Sequence, residues 1–350
     1  MRRWAVFAVM LSLAGGHVQA GGPAPVLIRV ANFTVPPHTG PIGHIILKNT
    51  ADAPYEATVE LTLPDGWKGV LGKPRLVLES QETVRIPFAI ERAVDVERNL
   101  YPVTVKVTGA DGAVASRTRE VACTSAPYFK PKIDGNTDDW DDAIAVTFSH
   151  KGRDTVISTA WNRTHFAVCV EVDEEKLVGY TADAAPGTVD AVQFALAPSG
   201  SETGRTAEDP AGRYEFLVVD SPGLFAKGRC FFLMKPGMSL GASQEARPLE
   251  ALEFADAQVV VKRKGACTVY ECAVPWSAMP GIRPDTGREI CFSVLAHDPD
   301  GTGLRDWGAA AGLWPSQRNR RAWSLWPGAK WPEEPPYDNK IEWGLCSSKY

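Results

Sequence analysis

Apolar and polar side chains alternate in short runs through residues 25–123. In 56–63 (EATVELTL) and 103–107 (VTVKV) every second residue is apolar. That period of two turns one strand face to a core and the other to water. Runs of the same kind fall at 26–30, 44–47 and 83–88. The turn signals Pro64-Asp65-Gly66, Gly72-Lys73-Pro74 and Ala110-Asp111-Gly112 separate them. Closely spaced strands without a helical period predict a small β-sandwich over residues 21–124.

Past Thr124-Ser125-Ala126-Pro127 the runs lengthen. VISTAWNRTHFAVCVEVDEE predicts a hairpin with Phe166, Val168, Val170 and Val172 on one face and a turn at Asn162-Arg163-Thr164-His165. Further strands are expected at 191–196, 214–219, 259–261, 268–276 and 290–294. A second, larger sandwich over 125–350 follows, giving an all-β chain of two β-sandwich domains.

The first twenty residues break the pattern. Arg2 and Arg3 precede an apolar run, and Val18-Gln19-Ala20 offers a small-residue cleavage site, so 1–20 is expected to be a signal peptide. The run is too short to span a bilayer, and no later stretch is long and apolar enough. The expectation is a secreted or periplasmic protein. The leader holds two of the 37 basic residues, leaving 35 against 42 acids. That balance argues against nucleic acid as a partner, since phosphate binding needs a basic face. The seven cysteines are an odd number without a C-x-x-C pair, which gives no support to zinc and no basis for assigning a disulfide.

In the first half, LTLPDGWKG and the later SQETVRIPF resemble the Ig-like domains appended to alpha-galactosidases and other exported glycoside hydrolases. The resemblance implies an Ig-like fold over 21–124. Trp67 is expected to cap one end of its core, with sugar binding as the sharper alternative.

FKPKIDGNTDDWDDA, at 129–143, gathers five aspartates around Trp140. Asp134, Asn136 and Asp138 match the opening of an EF-hand loop, but its sixth position is Asp139 instead of glycine and its twelfth is Ala145 instead of glutamate. A glycosidase pair needs two carboxylates held across a cleft, which one exposed segment does not provide. The third reading is the start of a domain. IDGNTDDWDDA resembles the I-D-G-x-x-D-x-x-W opening strand of family 9 carbohydrate-binding modules. TAWNRTHFAVCVEVDE, VDAVQFALAP, VYECAVPWSAM and CFSVLAHDPDG resemble four further strands of that family in the same order.

This resemblance, over roughly 128–347, implies a jelly-roll-like sandwich that binds sugar or polysaccharide without catalysis, in company with secreted glycoside hydrolases. It places the sugar site on Asp190, Gln193 and the late aromatic loop, with Tyr337, Trp331 and Trp326 as candidate stacking rings. Gly187 stands where family members carry one stacking tryptophan, and Gln193 replaces the usual glutamate. It also implies structural calcium, for which Asp298, Asp300 and Asp306 around Gly301 and Gly303 are the candidate ligands; an Asx turn is the alternative for that loop. No Ser-His-Asp spacing, phosphate loop or H-E-x-x-H supports an enzyme. The rival function is a structural or partner-binding envelope protein whose sugar site has degenerated.

Overall fold

The computed structural model describes residues 23–184, 187–199, 213–221, 228–236, 249–308, 337 and 339–349. Among them the helical elements are four short 3-10 turns, and no helix is long and apolar enough to cross a membrane. The first eight strands are β1 (Val26–Val30), β2 (Ile42–Asn49), β3 (Tyr55–Thr62), β4 (Lys68–Leu71), β5 (Arg75–Leu78), β6 (Thr83–Arg92), β7 (Leu100–Gly109) and β8 (Val114–Ala122). They form two four-stranded sheets, ordered β1-β2-β6-β4 and β5-β3-β7-β8. The alternating residues meet between the sheets, with Ile45, Leu47, Phe88, Val103 and Val105 fully buried. Trp67 sits in this core, 4.8 Å from the Tyr101 ring, and its Nε1 donates to the Val94 carbonyl at 3.2 Å. It is packed as an interior side chain.

The remaining strands are β9 (Ser125–Pro127), β10 (Val146–His150), β11 (Arg153–Trp161), β12 (His165–Asp173), β13 (Ala191–Pro198), β14 (Tyr214–Val219), β15 (Arg229–Met234), β16 (Gln258–Lys264), β17 (Cys267–Pro275), β18 (Glu289–Asp298), β19 (Gly303–Trp307) and β20 (Glu342–Cys346). A five-stranded sheet, β10-β11-β12-β17-β16, faces a seven-stranded one ordered β15-β14-β13-β18-β20-β9, with β19 also paired to β18. Phe166, Val168, Val170 and Val172 lie in the shared core opposite Phe194, Phe216 and Phe292, as the hairpin pattern requires. The outward face of β13, β14 and β18 is buried as well, so these strands are enclosed on both sides. All seven cysteines are free thiols.

The aspartate-rich stretch forms no strand, unlike the opening strand expected of it; it is a turn followed by the 3-10 helix Thr137–Trp140, pinned onto this sandwich. The Glu271 carboxylate on β17 accepts from the backbone N–H of Asp134 at 2.8 Å and Gly135 at 2.7 Å, and from Trp140 Nε1 at 2.9 Å. Two of the sequence motifs therefore hold each other. Gly135 has φ +77, a left-handed conformation that favours glycine at this turn. Trp140→Phe keeps most of the ring but leaves a buried carboxylate oxygen short of a donor. The expected cost is about 2 kcal/mol in urea unfolding; a change below about 0.5 kcal/mol would show that the clasp contributes little.

Candidate functional site

Three carboxylates from three separate motifs meet at one end of the second sandwich. Glu174 follows β12, Asp190 precedes β13 and Asp298 ends β18. All are buried, and one oxygen from each lies within 4.8 Å of the others. The backbone sets these positions. Glu174 N–H donates to the Ala266 carbonyl at 3.0 Å, and Asp190 N–H to that of Val178 at 2.9 Å.

Asp298 is the most fully compensated. Its Oδ2 accepts from Thr302 N–H at 2.8 Å, Thr302 Oγ1 at 2.7 Å and Arg305 Nη2 at 2.8 Å. Burial alone would raise its pKa, but these bonds outweigh burial and leave it below the usual aspartate value. Arg305, itself fully buried, also donates Nε to Thr302 Oγ1, Nη1 to the Asp154 carbonyl and Thr155 Oγ1, and Nη2 to the Asp173 carbonyl. All five guanidinium donors are used, and they tie β19 to the ends of β11 and β12.

The other two carboxylates each retain an uncompensated oxygen. Glu174 accepts from Thr268 Oγ1 and from Arg263 Nη1 at 3.3 Å, and Asp190 Oδ2 accepts from Val178 N–H. Glu174 Oε2 and Asp190 Oδ1 are buried without a hydrogen-bond partner. Burial, reinforced by the neighbouring carboxylates, pushes Glu174 up to about 8 and Asp190 up to about 7. Unpartnered carboxylate oxygens in a dry site are costly unless they are protonated or bind a cation. The donors are all hard oxygens, and their spread suits Ca–O distances of about 2.3–2.6 Å. The residues present therefore fit a calcium ion: Glu174, Asp190 and Asp298 would hold it, and it would supply positive charge to the two carboxylate oxygens that Arg263 and Arg305 leave without a partner.

The sequence-level candidates separate. Asp298 and Asp190 come together, although one was expected as a metal ligand and the other as a sugar contact. Asp300 instead pairs with Lys176 at 2.5 Å on the surface. Asp306 follows Arg305 on β19, so the period of two aims it to the opposite face. Glu174 and Arg305 were not anticipated. The acid run Asp173-Glu174-Glu175 at a strand end was the available signal for the first.

Gln193 lies on the outward face of β13 and is fully buried. Its Nε2 donates to Glu215 Oε1, and its Oε1 is 2.9 Å from His297 Nε2. Arg213 Nε donates to Glu215 Oε2 at 3.1 Å. Burial lowers the His297 pKa to about 4, so the ring is neutral at pH 7. Asp190 and Gln193 therefore expose no surface; both amide atoms of Gln193 engage protein groups, and Asp190 does so through Oδ2 alone. Gly187 has φ +74, a left-handed conformation that favours glycine, so the absence of an aromatic wall is set by the local backbone as well as by the residue. Tyr337 is half-buried near Arg29 of β1; burial pushes its phenol up to about 12. Trp326 and Trp331 lie outside the described residues.

No family model matches the chain, and no curated protein matches it. Among solved structures, it is similar to a carbohydrate-binding module of family 9 from Caldicellulosiruptor kristjanssonii in complex with cellotriose, at 14% identity and TM-score 0.38, covering 64% of this chain and 93% of that one. A second such structure from the same organism, in complex with glucose, has 15% identity and TM-score 0.36, covering 55% and 90%. A FixG-related protein from Vibrio parahaemolyticus has 12% identity and TM-score 0.23, covering 28% and 95%. All three scores lie below 0.5.

Proposed function

We propose that this chain is an exported, non-catalytic carbohydrate-binding protein, accessory to polysaccharide-degrading glycoside hydrolases, with one end of its second sandwich held by calcium. The observation that supports the binding half is that the family-9-like motifs quoted above fold as β11–β12, β13, β17 and β18 of a single sandwich. The buried row Arg213, Glu215, Gln193 and His297 ties adjacent strands of the seven-stranded sheet together beneath the surface. The row is linked to the carboxylate cluster through the neighbours Asp190 and Asp298. The non-catalytic part is supported by the carboxylates themselves. They are buried with one oxygen of each within 4.8 Å of the others and do not flank a cleft as a hydrolytic pair must.

Gly187 favours the second reading, a structural or partner-binding protein. The φ +74 backbone there disfavours the tryptophan that would complete a stacking wall. Titration calorimetry of residues 21–350 with a panel of gluco-oligosaccharides, in calcium and in chelator, separates the two. The carbohydrate reading expects saturable binding of at least one saccharide in calcium. A stably folded chain that binds no saccharide in calcium supports the second reading instead.

A further inference from the structure

The opposite end of the second sandwich carries an open cavity of about 490 Å³, lined in part by Tyr128, Trp161, Arg163, Asp285, Thr286 and Ser347. From His165 to Asp173, β12 runs nine residues, so this cavity lies about 30 Å from the carboxylate cluster at 3.2–3.4 Å per residue. Unlike the row around Gln193, it opens to solvent.

Its aromatic wall is exposed yet fixed. Tyr128 is 41% exposed. Its ring packs edge-to-face on Trp161, with centroids 4.9 Å apart at 80°. Its backbone bridges to Trp161, and Phe129 N–H donates to the Trp161 carbonyl at 3.1 Å. Trp161 in turn is locked, with Nε1 donating to the Cys346 carbonyl at 2.9 Å. The ring is therefore presented with little rotamer freedom left to lose on binding.

The polar groups around it hold capacity in reserve. Asn162 organises the β11–β12 turn by accepting from Thr164 N–H and His165 N–H, which leaves Arg163 projecting at the turn. Among the described residues the Arg163 guanidinium has no hydrogen-bond or ion-pair partner. Asp285 uses one oxygen to accept from Thr286 N–H at 2.9 Å. Hydroxyls of Thr286 and Ser347 complete the rim.

We infer that this cavity is a second saccharide subsite, one that takes a neutral hexopyranose with its C–H face on the Tyr128 ring and its hydroxyls between Arg163 and Asp285. The ligand class rests on the carbohydrate reading above. A flat apolar ring beside paired donors and acceptors is what a pyranose needs. The opposite charges of Arg163 and Asp285 cancel, which selects a neutral sugar over an acidic one. The volume lies within the usual range for small-molecule pockets.

The test is titration of residues 21–350 with the methyl glycosides of glucose, galactose, mannose and xylose, and with glucuronate, followed by calorimetry. Four proteins are compared: wild type, Tyr128→Ala, Arg163→Ala and Gln193→Ala. The expected result is that Tyr128→Ala and Arg163→Ala each weaken binding of a neutral glycoside at least tenfold, with melting unchanged, whereas Gln193→Ala leaves that binding in place. Arg163 is exposed at a turn, so its variant folds even if Tyr128→Ala does not. Glycoside binding abolished by Gln193→Ala and untouched by both cavity variants overturns this inference and leaves the carbohydrate reading standing. Binding of glucuronate alone overturns the neutral-sugar assignment. A wild-type chain that binds none of the probes overturns both.

Discussion

Arg305→Met is expected to lower the stability of the second sandwich by about 3–5 kcal/mol, the usual cost of breaking a buried ion pair by removing one partner. Methionine fills a similar stem volume but supplies none of the five donors. The Asp298 carboxylate would then be left in a dry site with only its Thr302 bonds, and the carbonyls of Asp154 and Asp173 would each lose a partner. Arg305→Lys tests the geometry separately from the charge. An ammonium has three donors and no planar fork, so most of the loss should remain. Urea unfolding followed by tryptophan fluorescence is the suitable measurement. Trp67 is the one tryptophan between the leader and Phe129, and nine of the chain's 11 follow that residue. The signal therefore reports the second sandwich. A loss below about 1 kcal/mol for Arg305→Met would show that the five bonds are not a structural tie.

The second large effect is on pH. Glu174 rises from 4.5 to about 8 in the folded chain, and Asp190 from 3.8 to about 7, chiefly through burial. Between those limits the folded, metal-free chain holds protons that the unfolded chain has released. Stability therefore falls as pH rises from about 4 through 8, with a slope of up to about 1.4 kcal/mol per pH unit for each retained proton. Below the unfolded values the contribution is fully present; above about pH 8 it is gone. This slope is opposite to that of a salt-bridged carboxylate. Glu174→Gln and Asp190→Asn should each flatten it, since neither amide titrates. Calcium should flatten it too, because a bound cation stabilises the charged carboxylates and adds stability that grows with the free ion. Metal-free unfolding curves at pH 5 and pH 9 that coincide would contradict this account.

Strand rhythm carried most of the fold. The alternation in EATVELTL and VTVKV appears directly as β3 and β7, and the Phe166-to-Val172 face lies in the core as its pattern requires. The turn around Asn162 was visible because a short amide side chain there can accept several backbone donors. The site was harder to read. Asp190 and Asp298 stood out as motif residues, yet nothing local shows that strand ends 108 positions apart in sequence meet, or that Glu174 joins them. Gln193 departs from the family-like pattern, but its burial depends on the outward face of a sheet being covered, which the period of two cannot reveal. Asp300 and Asp306 lie near Asp298 in sequence but outside its carboxylate cluster. The hairpin between β18 and β19 sends one to the surface and the other to the far face. Arg305 was hidden for a related reason: an arginine in a strand resembles a solvent-facing residue until five acceptors are seen around it.

The most direct measurement is calorimetric titration of calcium into chelator-stripped residues 21–350 at pH 8, alongside Asp190→Asn. The account predicts one saturating ion, proton release as Glu174 and Asp190 ionise, and loss of both signals in the variant. An absence of heat and of thermal stabilisation in wild type, or equal binding in the variant, would contradict it.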